Sequence, residues 1–203
     1  MGIDFYIGFG SLKTSIIEVV AVLFGLASVW SMKKESILAF PFGIINVLGY
    51  VYLSFSKQLY ALSGINLFFA MMSVYGWYNW SRDKGSENAV VISKCGSMEY
   101  LWNILAIALF YVIIRILLKK YTDSPLPGWD AFTTSLYIIA MWMLARKKIE
   151  NWIAWIIGDV ISIFLYAIPF GNNEPNYFSS FQFFVFTIIA VFGFFEWRRK
   201  LSK

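Results

Sequence analysis

The sequence predicts an all-α polytopic membrane protein: seven transmembrane helices as two parallel three-helix repeats plus a linker helix, a 3+1+3 order. Three observations predict it. Of 203 residues, 59% are hydrophobic, 20% aromatic and 14% charged, too few charges to coat a water-soluble globule of this length. Seven apolar stretches each approach the roughly 20 residues needed to cross a hydrocarbon core of about 30 Å. The third and seventh stretches also end alike, in Val74-Tyr75-Gly76-Trp77-Tyr78-Asn79-Trp80 and Val191-Phe192-Gly193-Phe194-Phe195-Glu196-Trp197, each followed by arginine.

In order, the spans are Ser15 to Met32, Ile37 to Phe55, Ala61 to Trp80, Tyr100 to Leu118, Ala131 to Ala145, Asn151 to Pro169 and Ser179 to Trp197. The first carries Glu18 near one end and the small residues Gly25, Ala27 and Ser28, which let a neighbouring backbone approach. The second follows a Lys-Lys turn and has Pro41 about one turn in, a tolerated place for proline and a candidate hinge. The fourth, NILAIALFYVIIRILL, is nearly all aliphatic, as a lipid-facing linker should be, and Arg115 near its end is placed to snorkel. Residues 81–99 read as a polar, mobile loop, and residues 121–129, with Pro125, Pro127 and Gly128, as a stiff turn. Letter matches set Glu35, Ala39, Phe40 and Gly43 against Glu150, Ala154, Trp155 and Gly158. The domains are thus a first bundle (1–82), a connecting section (83–128) and a second bundle (129–203).

Charge sets the orientation. Alternate connections hold Lys13, Lys57, Lys119 and Lys120 on one side and twelve basic residues on the other; Arg115 completes the 17. That bias places the C-terminus in the cytoplasm and the N-terminus outside. The net charge of +5 lies in short loops beside spans, so it reads as an orientation signal and not as a nucleic-acid surface. The N-terminal segment has an acid before its one lysine and is not read as a signal peptide. The single cysteine, Cys95, reads as a free thiol. There is no histidine, which removes imidazole metal ligands, bases and proton relays; no cofactor or metal is expected.

Four helices each carry one strongly polar group among aromatics. On a helix, residues at i, i+4, i+7 and i+11 share a face. In the sixth span that face reads Trp155, Asp159, Ser162, Tyr166; the third offers Asn66, Phe69, Ser73, Trp77; the second Asn46 beside Gly49 and Tyr50; the seventh Gln182 with Phe186, Ile189 and Gly193. A single amide serves equally well as helix glue, at about 0.6–2 kcal/mol, or as a ligand contact. Asp159 differs, because an ionised carboxylate near the bilayer centre costs about 2.5 kcal/mol or more on insertion scales. No lysine or arginine shares its depth, so its expected partner is a ligand or a coupling ion, unless it is protonated. Trp80, Trp197 and Trp129 fall at span ends and read as interfacial belts, whereas Trp155 and Phe69 lie deeper and are placed to stack on a flat ring.

Several segments resemble one family. These are GIINV at 43–47, LYA at 59–61, VYGWYNWSR at 74–82, the Trp129-Asp130 pair and RKKIENWIAWIIGDVIS at 146–162. Together they resemble the PnuC transporters of bacterial inner membranes, which are similar to the SWEET sugar carriers in their 3+1+3 arrangement. The resemblance implies a carrier of nicotinamide riboside by facilitated diffusion, a homo-oligomer in the lipid bilayer, and functional coupling to a cytosolic nicotinamide riboside kinase. It implies a substrate group drawn from Asn46, Asn66, Phe69, Ser73, Trp155, Asp159, Ser162 and Gln182: aromatics for a pyridinium ring, amides for a ribose, Asp159 for the charge. A uniporter with alternating access leads; a proton- or cation-coupled symporter using Asp159 is the alternative. A membrane enzyme is disfavoured by the missing histidine and the absence of paired membrane carboxylates.

Overall fold

The computed structural model describes residues 6–9, 12–56, 60–82, 89–122, 124–169 and 175–201. Lys57, Lys84 and Lys203 of the orientation count, and Leu59 of the LYA segment, lie outside them. The described residues form a short antiparallel hairpin, β1 (Tyr6–Phe9) and β2 (Leu12–Ser15), with Tyr6 opposite Ser15 and Phe9 opposite Leu12. Seven helices follow: α1 (Ile16–Lys33), α2 (Ala39–Ser56), α3 (Tyr60–Ser81), α4 (Ser97–Tyr121), α5 (Pro127–Ala145), α6 (Asn151–Ala167) and α7 (Tyr177–Leu201). The hairpin departs from the all-α expectation; its strand-favouring Tyr, Ile, Phe and Thr precede the apolar run that fixed the first span. By length and composition α1, α2, α4 and the Ser179–Leu201 part of α7 suffice to cross a membrane, while α6 is apolar but has 17 residues.

The chain divides into two compact units, Met1–Lys84 and Gly85–Lys203. In the first, α2 packs against both α1 and α3; in the second, α6 packs against both α5 and α7, and α4 lies on α5. Within each unit the same local solutions recur. Helix α1 closes when Glu35 turns left-handed (φ 60°), with Glu35 N–H donating to Met32 O and Ser36 N–H to Ser31 O. Helix α5 closes when Lys147 does the same (φ 52°), with Lys147 N–H donating to Leu144 O and Lys148 N–H to Met143 O. Both are Schellman stops, held here by side-chain-bearing residues where glycine is usual.

Further along, Phe40 meets Trp80 edge to face at 4.9 Å in the first unit, and Trp152 meets Trp197 edge to face at 5.5 Å in the second. Each central ring fills a glycine notch: a Cβ on Gly76 would lie 2.3 Å from Phe40, and one on Gly193 2.7 Å from Trp152. The packing therefore equates Glu35 with Lys147 and Phe40 with Trp152, each 112 residues apart in the numbering. That corrects the letter match of Glu35 with Glu150 and Phe40 with Trp155, which paired like residues at helix starts and not those filling like space. Trp80 (3% exposed) and Trp197 (0%) are core residues, correcting their reading as belts; Trp129, 53% exposed, stays at the surface.

The connecting loop is also more built than its polarity promised. Ser93 forms a parallel bridge with Lys148, through Ser93 N–H to Lys147 O (3.1 Å) and Ile149 N–H to Ser93 O (3.0 Å). Buried Glu150 accepts Cys95 N–H on both carboxylate oxygens (3.1 Å each) and the Tyr100 hydroxyl (2.6 Å). Glu99 pairs with Lys148 (2.8 Å) and Arg146 (3.0 Å), and Lys148 Nζ also donates to Lys94 O. Residues 93–99 are thus fastened to the α5–α6 turn, against the expectation of a mobile loop. Burial and the neighbouring Glu150 carboxylate push the Cys95 thiol up to about 12. Its thiolate form is therefore scarce at pH 7–8, and maleimide should label Cys95 in the folded protein at least about tenfold more slowly than in the denatured chain. Equal rates would contradict the fastened loop.

Candidate functional site

In the first unit each of the four candidates has close neighbours within the protein. Asn46 Nδ2 donates to Ala21 O of α1 at 2.7 Å, and a Cβ on Gly25 would lie 2.7 Å from that same nitrogen. The amide thus bridges α2 to the α1 backbone where a glycine makes room. Asn66 Nδ2 turns back to Leu62 O on its own helix (2.9 Å). Phe69 lies edge-on to its neighbour Phe68 at 5.8 Å. Ser73 is buried at a three-helix meeting: a Cβ on Gly43 would lie 3.0 Å from Ser28 Oγ and 3.6 Å from Ser73 Oγ, while Ser28 donates to Ala39 O.

The second unit gathers Trp155, Asp159 and Ser162 as the α6 spacing predicted, and adds a residue that the sequence reading missed. Tyr137 of α5 lies across the α6 face. Its hydroxyl donates to Asp159 Oδ1 at 3.0 Å and is 2.9 Å from Ser162 Oγ. Its ring stacks on Trp155, with centroids 5.1 Å apart and planes 27° from parallel. Glycine at 158 permits this, since a Cβ there would sit 2.4 Å from the tyrosine ring. Asp159 and Ser162 are each 3% exposed, Tyr137 and Trp155 half-buried. Tyr137 gives Asp159 a hydrogen-bond partner within the protein, a hydroxyl and not a cation. Gln182, half-buried on α7, is not among the partners of Asp159.

The first turn of α6 holds two more polar groups that the sequence reading passed over. Asn151 (0% exposed) donates through Nδ2 to Lys148 O, while its Oδ1 has no hydrogen-bond partner. The neighbouring indole Nε1 of Trp152 has none either. Asn151 is one turn before Trp155, so the same α6 face carries a buried, unpaired acceptor, an aromatic plane, a carboxylate and a hydroxyl in sequence. Such a face can take a flat, polar or cationic ring bearing hydroxyl groups. Among the described residues no cluster of His, Cys, Asp and Glu could hold a metal.

A family model described as nicotinamide mononucleotide transporter matches residues 15–199. The chain belongs to that family. It is accordingly a multi-pass membrane transporter, and not an enzyme, of the PnuC group. The nicotinamide riboside transporter PnuC of Escherichia coli K12 is 28% identical, over 94% of this chain and 88% of that protein. The riboflavin/roseoflavin transporter RibM of Streptomyces davaonensis is also 28% identical, over 87% of this chain and 88% of its own length. A crystal structure of the vitamin B3 transporter PnuC has a TM-score of 0.70 and 22% identity, covering 90% of this chain and 80% of that one, so this family member shares its fold.

Proposed function

We propose that the protein carries nicotinamide riboside across the bacterial inner membrane by facilitated diffusion with alternating access. The observation that carries this reading is the α6 face: the Asp159 carboxylate, bonded to a neutral tyrosine, beside the Trp155 indole. A pyridinium cation satisfies both, since an aromatic ring and a carboxylate each favour it once water is excluded, the ring contact alone by about 2 kcal/mol. Asn46, Asn66, Phe69, Ser73 and Gln182 remain candidates on the other helices.

The repeated turn and the repeated ring-in-glycine notch support two like bundles joined by α4. Pro41 and nearby glycines are the proposed hinges. The twelve-to-four charge bias supports a cytoplasmic C-terminus.

The equal identity to RibM favours a second reading, in which the cargo is a flavin. A flavin offers a flat ring and hydroxyls but no fixed positive charge, which leaves Asp159 without a counter-ion. Uptake of labelled nicotinamide riboside and of riboflavin into sealed proteoliposomes, with no imposed gradient, separates the readings. Equilibration of nicotinamide riboside to equal concentrations, unaffected by ionophores, is the expected result. Uptake of riboflavin alone supports the flavin reading, and uptake that collapses with ionophores supports a coupled symporter.

A further inference from the structure

We propose that Tyr137 is a positioning residue that fixes the Asp159 carboxylate and the Trp155 indole relative to each other, for a substrate that meets both. This rests on the reading of that face as the substrate site. The geometry fixes the tyrosine at both ends. Its ring covers one face of Trp155 and is seated in the Gly158 notch, where even a methyl group would displace it. Its hydroxyl occupies Oδ1 of Asp159 and reaches Ser162, which orients the carboxylate. One side chain from α5 thus sets the aromatic plane and the carboxylate together, two features that would otherwise turn independently on α6.

The first unit shows that this is not simply how such a helix crossing must be filled. There the close contact joins Gly25 of α1 to Asn46 of α2. Tyr137 follows Gly25, and Gly158 follows Asn46, by the same 112 residues that separate Glu35 from Lys147 and Phe40 from Trp152. The small and large partners have exchanged helices. In the first unit the large polar group on α2 reaches back to the α1 backbone; in the second the large group on α5 reaches forward to the side chains of α6. The shared crossing tolerates either arrangement, and only the second organises a carboxylate and an indole.

The test is a double-mutant cycle in proteoliposomes, with Tyr137→Phe and Asp159→Ala alone and combined, reading KM and maximal rate for nicotinamide riboside. Tyr137→Phe keeps the ring and removes only the hydroxyl, so it should raise KM by about fivefold with the maximal rate within about twofold, as expected for one lost hydrogen bond. In the Asp159→Ala background the same change should alter KM by less than about twofold, because the group through which it acts is gone. Ser162→Ala, a milder variant, should move KM in the same direction by less. Additive effects, or an unchanged KM in Tyr137→Phe while Asp159→Ala loses uptake, would overturn the assignment and leave Tyr137 as a packing residue. Wild-type KM in folded Asp159→Ala would instead overturn the reading of the α6 face itself.

Discussion

Asp159→Ala is expected to lower nicotinamide riboside uptake by about 10- to 100-fold in protein that still folds. The carboxylate is 3% exposed, and its hydrogen-bond partner in the structure is the neutral Tyr137 hydroxyl. Holding a charge in the interior of a membrane helix costs about 2.5–3.5 kcal/mol on insertion scales. A cationic substrate supplies the missing counter-charge. Hydrogen bonds and contacts to charged groups are worth about 1.5–3 kcal/mol, and each 1.4 kcal/mol is tenfold, which gives the expected range. Asp159→Asn should fall between, since the amide oxygen still accepts from Tyr137 but the charge is lost. Initial uptake rates into proteoliposomes, normalised to folded protein, check this; a wild-type rate in Asp159→Ala would contradict it.

Glu150→Ala is expected to be the most damaging change outside the substrate site, destabilising the second unit by about 2–4 kcal/mol. One buried carboxylate accepts both the Cys95 N–H and the Tyr100 hydroxyl. Without it a buried donor is stranded, at about 1–3 kcal/mol for each unsatisfied group. Substitutions that strand buried polar groups belong to the short list that produces large losses. Melting in detergent should drop by several degrees, and Cys95 should become labelled by maleimide as the loop comes away from the α5–α6 turn. Glu150→Gln, which keeps one acceptor oxygen, should lose less. An unchanged melting temperature together with a protected Cys95 would show that the Ser93–Lys148 bridge and the Glu99 pairs hold the loop unaided.

Much of the architecture was legible because membrane helices announce themselves: a long apolar run has no other way to satisfy its backbone in lipid. Helix ends were less so. Helix α4 starts at Ser97 and not at Tyr100, because Glu99 and Lys148 tie its polar first turn to the neighbouring loop. The fastened loop was missed since polarity alone does not distinguish a solvated segment from one whose charges are already paired. Trp80 and Trp197 were misplaced for the reverse reason: position at a span end suggests an interface, while the glycine four residues before each shows that a ring from the preceding helix must come close. Within the site, Trp155, Asp159 and Ser162 could be read from α6 spacing alone. Tyr137 could not, because a tyrosine in an apolar helix resembles any other, and its role depends on which helix it faces. The available signal was Gly158 beside Asp159, a notch with no other purpose in an otherwise bulky helix.

The central claim is that the α6 face binds a flat cation, and charge discrimination tests it most directly. Nicotinamide riboside and its uncharged dihydro form differ little in shape but by one unit of charge. Calorimetric titration of both into purified wild-type protein and Asp159→Asn should show the wild type favouring the cation by about tenfold, the worth of one partly desolvated charge contact, and Asp159→Asn favouring neither. Equal affinity of the wild type for the two forms, or a preference that survives in Asp159→Asn, would contradict the account and move the cation's partner elsewhere in the protein.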